Sequence, residues 1–283
     1  MKRLCEVLDV SRSAYYGYAG GGCGPKTNER STLANELEQL FHRHKRRYGS
    51  RRLCSALRDQ GYEVGRCRVR SLMKSLTLKA IQPRSFVPKT TQTDPSKARK
   101  PNLLLELDDP PQGTREVLVG DITYVPSKAG WLYLAVWMDL FSRRIVGWHL
   151  DNHMQAELVR DAFRKVVNKG RVISGLIVHT DGGRQYSATI FNQLLEKHEC
   201  RQSMTRKNNH YDNAFIESLF SRMKTELLTD HPIFENKAEA QLKIFEYIDG
   251  YYNTHRKHSA LGYLSPMQFE DTEHPKNQPE NGR

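Results

Sequence analysis

The stretch Glu116–Leu150, EVLVGDITYVPSKAGWLYLAVWMDLFSRRIVGWHL, decides the fold. It is rich in β-branched and aromatic residues and is broken by turn-forming residues, most clearly at Ser127–Gly130. That composition predicts three short strands, over 116–125, 131–139 and 143–150, joined as an antiparallel meander. Side chains alternate along a strand, so Val117, Val119, Asp121, Thr123 and Val125 share one face of the first. An acid in the middle of an apolar face is costly to bury unless a cation compensates it, which makes Asp121 the first residue to explain.

Downstream, the pattern predicts a helix at 154–168, a strand at 175–179, a helix at 187–198, a short strand at 200–204 and helices at 212–229 and 237–252. A run of strands followed by alternating helices and strands implies an α/β fold, a mixed sheet with helices on both faces. Two further acids stand in telling places. Asp181 ends the apolar run GLIVHT and precedes Gly182-Gly183, whose backbone freedom lets a carboxylate turn toward the sheet edge. Glu217 follows thirty-five residues later in DNAFIESLFSRMKTELL. On that helix Ile216, Leu219, Phe220, Met223 and Leu227 form a buried stripe, and Asn213, Glu217 and Lys224 line the stripe beside it. Each acid alone has an ordinary explanation as a cap, a surface charge or a salt-bridged carboxylate. Together, in strand, strand and helix settings, Asp121, Asp181 and Glu217 make a set of hard oxygen ligands, and the chemistry that needs such a set is phosphodiester cutting and joining.

Upstream the texture is different. LCEVLDVSRSAYYGY predicts two short helices, the second capped by Ser11, and Gly20–Gly22 with Gly24-Pro25 forms a connector. Residues 29–46 carry Leu33, Leu37, Leu40 and Phe41 on one helical face. Ser50 is a candidate cap for a helix running to about Gln60, Gly61 stops it, and a third helix spans Arg66 to Leu76 with Val69, Leu72 and Met73 inward. Helix, glycine turn, helix is the helix-turn-helix plan, whose second helix can enter a DNA groove. Arg51, Arg52, Arg66, Arg68 and Arg70 are its candidate phosphate contacts. The net charge is +12, and residues 1–100 hold 22 Lys+Arg against 8 Asp+Glu, a local +14 that leaves −2 for the rest. A basic balance gathered into one region points to a polyanion-binding module. The resulting division is a short helical segment at 1–24, a helix-turn-helix domain at 25–80, a basic Pro-containing linker at 81–115, a catalytic core at 116–270 and a disordered tail at 271–283.

Several classes are disfavoured. No apolar run approaches the roughly twenty residues that span a bilayer, and the N-terminus lacks a signal-peptide core, so a cytoplasmic protein is expected. The five cysteines are scattered without a Cys-x-x-Cys pair, which gives a zinc knuckle or ribbon little support. Ser142, Tyr186 and Tyr211 have no Ser/His/Asp-like neighbours, which disfavours a serine or tyrosine recombinase.

GDITYV, HTDGGRQY and NNHYDNAFIESLFSRMKTE resemble the catalytic core of the retroviral-integrase superfamily, the DD(35)E transposases. More narrowly, YIDGYYNTHRKHSALGYLSPMQFE, together with YGSRRLCSALRDQGYEV and VRSLMKSLTLKA upstream, is similar to the OrfB transposase of the IS-three group of bacterial insertion sequences, from Leu4 to Glu270. The resemblance implies an RNase-H-like integrase core with a five-stranded sheet, preceded by an all-α helix-turn-helix module. It implies two Mg²⁺ (or Mn²⁺) held by Asp121, Asp181 and Glu217, with 3′-end cleavage and strand transfer as the reaction. His179 and Asn213 are candidates to support the metal ligands or touch DNA, and Lys207, Lys224 and Arg256 are candidate cations against the DNA strand. The implied partners are terminal inverted repeats and target DNA, further copies of the chain on paired ends, and an upstream OrfA product as fusion or partner. A bacterial, nucleoid-associated location follows. The competing expectations are a catalytically silent DNA-binding regulator derived from such an enzyme, or an RNase-H-fold nuclease.

Overall fold

The computed structural model describes Cys5 and residues 12–19, 26–82, 100–206, 209–229 and 232–273. The chain forms two compact units, Met1–Ile81 and Gln82–Arg283. In the first, helices α1 (Arg12–Ala19), α2 (Lys26–Arg43), α3 (Ser50–Asp59) and α4 (Arg66–Ser75) follow in order. Leu33, Leu37, Leu40 and Phe41 of α2 are buried, as are Leu53, Ala56 and Leu57 of α3 and Val69, Leu72 and Met73 of α4. The helical stripes read from the sequence therefore form the core of this unit. The α3–α4 turn is tied by Gly61 N–H to Arg58 O (2.9 Å) and Tyr62 N–H to Leu57 O (3.0 Å), a Schellman closure with Gly61 in the left-handed region. Ser50 is the first helical residue of α3, and Gly49 takes the cap position with no side-chain bond. The first predicted helix and Ser11 lie outside the described residues.

The second unit is built on one five-stranded sheet of order β3-β2-β1-β4-β5. Its strands are β1 (Val117–Ser127), β2 (Gly130–Asp139), β3 (Ile145–Asp151), β4 (Ile177–Thr180) and β5 (Arg201–Met204). The first three pair antiparallel, closing on a two-residue turn after Ser127, while β1–β4 and β4–β5 are parallel. The parallel strands are reached through α5 (Ala156–Asn168) and α6 (Thr189–Lys197); α7 (Ala214–Leu228), α8 (Lys237–Tyr247) and α9 (Pro266–Glu273) follow. Because the sheet is covered on both faces, β2 reads as a nearly continuous apolar run. One core holds Val117, Val119, Val125 and Val136 with Ile216, Leu219, Phe220 and Met223 of α7 and Ile244 of α8. The other holds Leu118, Ala135 and Trp137 with Leu158, Ala162 and Phe163 of α5 and Phe191 of α6. Asp121 stands on the α7 side, between Val119 and Val125.

Three stretches differ from the sequence reading. The segment expected as linker up to 115 joins the core at its end: Leu103 is buried, its N–H donates to Ser203 Oγ (2.9 Å), and Met204 N–H donates to Pro101 O (3.1 Å). This seals part of the β5 edge, which an open sheet must cover; residues 83–99 lie outside the described residues. The helix expected over 237–252 leaves α-geometry at Ile248–Tyr252, a π-turn. Finally, α9 continues to Glu273 and so into the expected tail, of which 274–283 lie outside the described residues.

Glu270 explains that last difference. It accepts Ser142 Oγ–H (2.8 Å), Arg144 Nη1–H (2.5 Å) and Arg171 Nη2–H (2.8 Å), latching α9 onto the β2–β3 turn. On the opposite face, β3 and α5 touch at Gly147, where a Cβ would fall 2.6 Å from the Ala162 carbonyl oxygen and 2.5 Å from Val166 Cγ2. Gly147→Ala is therefore expected to cost about 1–3 kcal/mol through overpacking against helix backbone, read as a lower urea midpoint with an unchanged slope.

Candidate active site

The acid corner is created by strand register. Gly120 of β1 lies opposite Thr180 of β4 in a parallel pair, so the next residue on each strand, Asp121 and Asp181, emerges at the same end of the sheet. Each carboxylate is steadied by its own neighbourhood: Ile122 N–H donates to Asp121 Oδ1 (2.7 Å) and Gly183 N–H to Asp181 Oδ1 (2.9 Å). Burial, then the adjacent charge of Asp181, push the Asp121 carboxyl well above its ordinary range, with Glu217 adding a smaller push. A desolvated carboxylate facing a like charge is unfavourable unless a cation joins them. Lys224 of α7 contributes part of that charge, and it is half-buried, with burial lowering its own pKa against the pull of Asp121.

Glu217 lies in the first turn of α7, exposed, while Ile216 beside it is fully buried. Among the described residues no group of three or more His, Cys, Asp or Glu is close enough to hold a metal ion. The two aspartates thus form a pair, and Glu217 reaches toward it electrostatically without closing the set. The donors themselves, all hard oxygens with one desolvated against another, fit a divalent cation of the Mg²⁺ or Mn²⁺ kind.

The start of α7 is held by a relay of which only His179 is visible in the sequence pattern. Leu103 N–H donates to Ser203 Oγ, and Ser203 O–H donates to His179 Nδ1 (2.8 Å). His179 Nε2–H donates to the Asp212 carbonyl (3.1 Å), which fixes the tautomer because a carbonyl only accepts. Burial lowers the His179 pKa to about 4, so the ring is neutral near pH 7. Asp212 then gathers Arg206 N–H (2.8 Å), the Arg206 guanidinium (2.9 Å) and Asn102 Nδ2–H (2.9 Å). Those partners, the Arg206 bond foremost, hold its carboxyl at about 2. His179 is therefore a buried link between β4, β5 and the turn His210–Asn213, and it is closed off from DNA. Asn213 is likewise buried at the head of α7, and its Oδ1 finds no partner among the described residues.

Tyr186, which lacks the neighbours of a nucleophile, stands 2% exposed beside the corner, with its hydroxyl unpaired among the described residues. Burial, then Asp121 and Asp181, raise its pKa far above the ordinary phenol range, so it keeps its proton. Asp139, by contrast, is a buried acid with a complete structural role. It accepts Arg115 N–H, Phe141 N–H and Ser142 N–H at 2.9–3.0 Å.

The candidate DNA cations divide. Arg51, Arg66, Arg68 and Arg70 are exposed and Arg52 is half-buried, near Tyr48. Lys207 lies outside the described residues. Arg256 is a correction: it is 1% exposed, and its Nη2 and Nε donate to Glu226 at 2.6 and 3.0 Å, with Tyr247 O–H donating to the same carboxylate (2.9 Å). A guanidinium so enclosed cannot meet a phosphate. The C-terminal signature around it is scaffold, as Asn253 shows by pairing with both N–H and C=O of Ile145 on edge strand β3 (2.9 and 3.0 Å). Tyr247 and Tyr252 are buried in the core.

Comparison with known proteins agrees with this architecture. Integrase core domain models match residues 111–210 and 198–266, and an HTH-like domain model matches 28–86. The transposase for insertion sequence element IS904 of Lactococcus lactis is 42% identical over 242 residues, 86% of this chain and 94% of that protein. The transposase InsF for insertion sequence IS3A of Escherichia coli K12 is 35% identical over 273 residues, 96% of this chain and 94% of that protein. Among solved structures, the HTLV-2 integrase catalytic core in complex with magnesium is 16% identical with a TM-score of 0.42, covering 56% of this chain and 97% of that chain. An integrase core joined to an HTH-like module defines a class, the polynucleotidyl transferases that act on DNA. Within it, the chain belongs to the IS3 family of insertion-sequence transposases and is a DNA transposase. Among the described residues no helix is long and apolar enough to cross a membrane.

Arg256→Met should strand the buried Glu226 carboxylate and lower stability by about 3–5 kcal/mol in urea unfolding. Adding Glu226→Gln should recover most of that loss; a salt slope of DNA binding altered by the single change would reinstate a phosphate contact.

Proposed function

We propose that this transposase cleaves the 3′ ends of its element and joins them to target DNA at the corner where β1 and β4 end. Asp121 and Asp181 would hold two divalent cations, Mg²⁺ or Mn²⁺, with Glu217 completing the ligand set. The observation that carries the reading is the Gly120–Thr180 register, which sets two carboxylates side by side with one of them desolvated. The cations, when bound, supply Lewis-acid stabilisation of the charge that develops on phosphate oxygens.

In the first reaction a water oxygen attacks the scissile phosphorus and the 3′-oxygen leaves. In the second, that 3′-hydroxyl attacks a phosphorus of the target and displaces another 3′-oxygen. No protein–DNA covalent step is required. The chain's own residues bind and orient. Lys224 lowers the cost of packing negative charge beside Asp121. The neutral His179 relay sets the height of the turn from which α7 carries Glu217. The exposed arginines of α4 suit phosphate contacts on the terminal inverted repeats, which they would position without reading every base. Joining two ends to one target asks for a multimer on paired ends, with the OrfA product as fusion or partner.

The test is cleavage and strand transfer on DNA carrying the element's ends. Asp121→Asn, Asp181→Asn and Glu217→Gln should each reduce both reactions in Mg²⁺ by roughly a thousandfold or more while leaving gel-shift binding intact. Full activity in either aspartate variant would remove the proposal. Replacing Arg66, Arg68 and Arg70 with Ala should leave the melting temperature unchanged. It should also flatten log K against log salt by about one unit for each phosphate no longer neutralised; an unaltered slope would place the repeat-binding surface elsewhere.

A further inference from the structure

The ten residues Arg43–Arg52, RHKRRYGSRR, carry six Lys and Arg and no acid, and they join α2 to α3 of the helical module. Lys45 and Arg46 both lie in the left-handed region (φ 49° and 61°), where a side chain is strained and glycine is relaxed. The turn is nevertheless fixed. Lys45 N–H donates to His42 O (2.8 Å), Arg46 N–H to Phe41 O (3.0 Å) and Arg47 N–H to His44 O (3.0 Å), while Ile81 N–H donates to Arg46 O (3.0 Å). Just beyond it Tyr48 is fully buried, with the His44 ring stacked on it at 3.8 Å.

On this frame Arg43, Lys45, Arg46 and Arg51 are exposed, and among the described residues their side chains enter no ion pair. Arg51 stands in the first turn of α3, which holds no acid, and there the helix dipole disfavours a cation. Like charges crowded without a counter-charge repel one another, and two of these occupy backbone positions that glycine would fill at lower cost. Folding explains neither choice. Solubility does not either, because a lysine at any relaxed surface position would serve it as well. A ligand of closely repeated negative charge explains both, and strain kept at such a place points to function.

We propose that the α2–α3 turn is a DNA-backbone clamp additional to α4, in which Arg43, Lys45, Arg46 and Arg51 neutralise phosphates whatever the base sequence. The inference rests on the helical module being the part of the chain that binds DNA. Because the turn is already locked by its own hydrogen bonds, it presents these charges without further ordering of the backbone. Each phosphate it neutralises releases condensed counterions, which is the source of the affinity.

Fluorescence anisotropy of the full chain tests this, with a duplex carrying the element's ends and a scrambled duplex of equal length, each titrated at several salt concentrations. Replacing all four residues with Gln should leave the melting temperature unchanged or raised. It should flatten log K against log salt by about 0.9 unit for each cation removed, and equally on both duplexes. Lys45→Gly with Arg46→Gly, which relaxes the turn, should flatten the slope by about 1.8 units with no loss of melting temperature. The parent's slope in the four-residue variant overturns the clamp, as does a loss confined to the element-end duplex, which would make these residues base readers. Arg66, Arg68 and Arg70 changed to Ala, measured alongside, separate the two readings. A slope flattened in that variant and not in the turn variant removes the clamp alone; a slope altered in neither removes the module as the DNA-binding part, and the clamp with it.

Discussion

The parallel pairing of β1 with β4 is the constraint from which the site follows. It spans only Val117–Gly120 against Ile177–Thr180, yet it brings together residues sixty positions apart in the chain and does so in fixed register. A slip by one residue would turn Asp121 and its neighbours to the opposite face. Register is secured by what each face buries: Val117 and Val119 against α7 and α8, and Leu118 and Val178 against α5 and α6. The apolar cores therefore determine where the acids emerge. Asp121 is desolvated beside Asp181, an arrangement that disfavours its charged form.

Several polar residues serve to aim this corner. The Leu103–Ser203–His179–Asp212 relay joins the segment before β1 to β5, β4 and the turn that begins α7. Because its donors and acceptors are matched in series, it works as a rigid spacer between the sheet and the helix carrying Glu217. At the far end of α7, Glu226 fastens the helix to Arg256 and Tyr247. The helix is thus held at both ends, and the Glu217 side chain between them is exposed.

The strands, the helical stripes and the two-sided sheet are legible in the sequence because hydrophobic periodicity reports local geometry directly. Ile216, Leu219, Phe220, Met223 and Leu227 are buried where the period places them. Arg256 defeats such reading for a general reason. A cation in a polar, His-rich stretch looks like a surface charge, and only its pairing with Glu226, thirty residues away, shows it enclosed. Tyr186 is similar: a buried donor beside two acids leaves no mark in local pattern. The π-turn at Ile248–Tyr252 breaks a run whose spacing still reads as helix.

Fold class, the separation of a basic helical module from a nearly neutral core, and the identity of three acids in strand, strand and helix settings are all readable from the chain in one dimension. They are properties of composition and short-range period, which need no knowledge of distant partners. Three-dimensional packing was needed to establish that the β1–β4 register sets Asp121 beside Asp181 with an exposed Glu217 acting on it, that His179 is neutral and buried, and that the C-terminal signature is scaffold. Those outcomes depend on desolvation and on partners distant in the chain, quantities that exist only once the sheet has closed and its faces are covered.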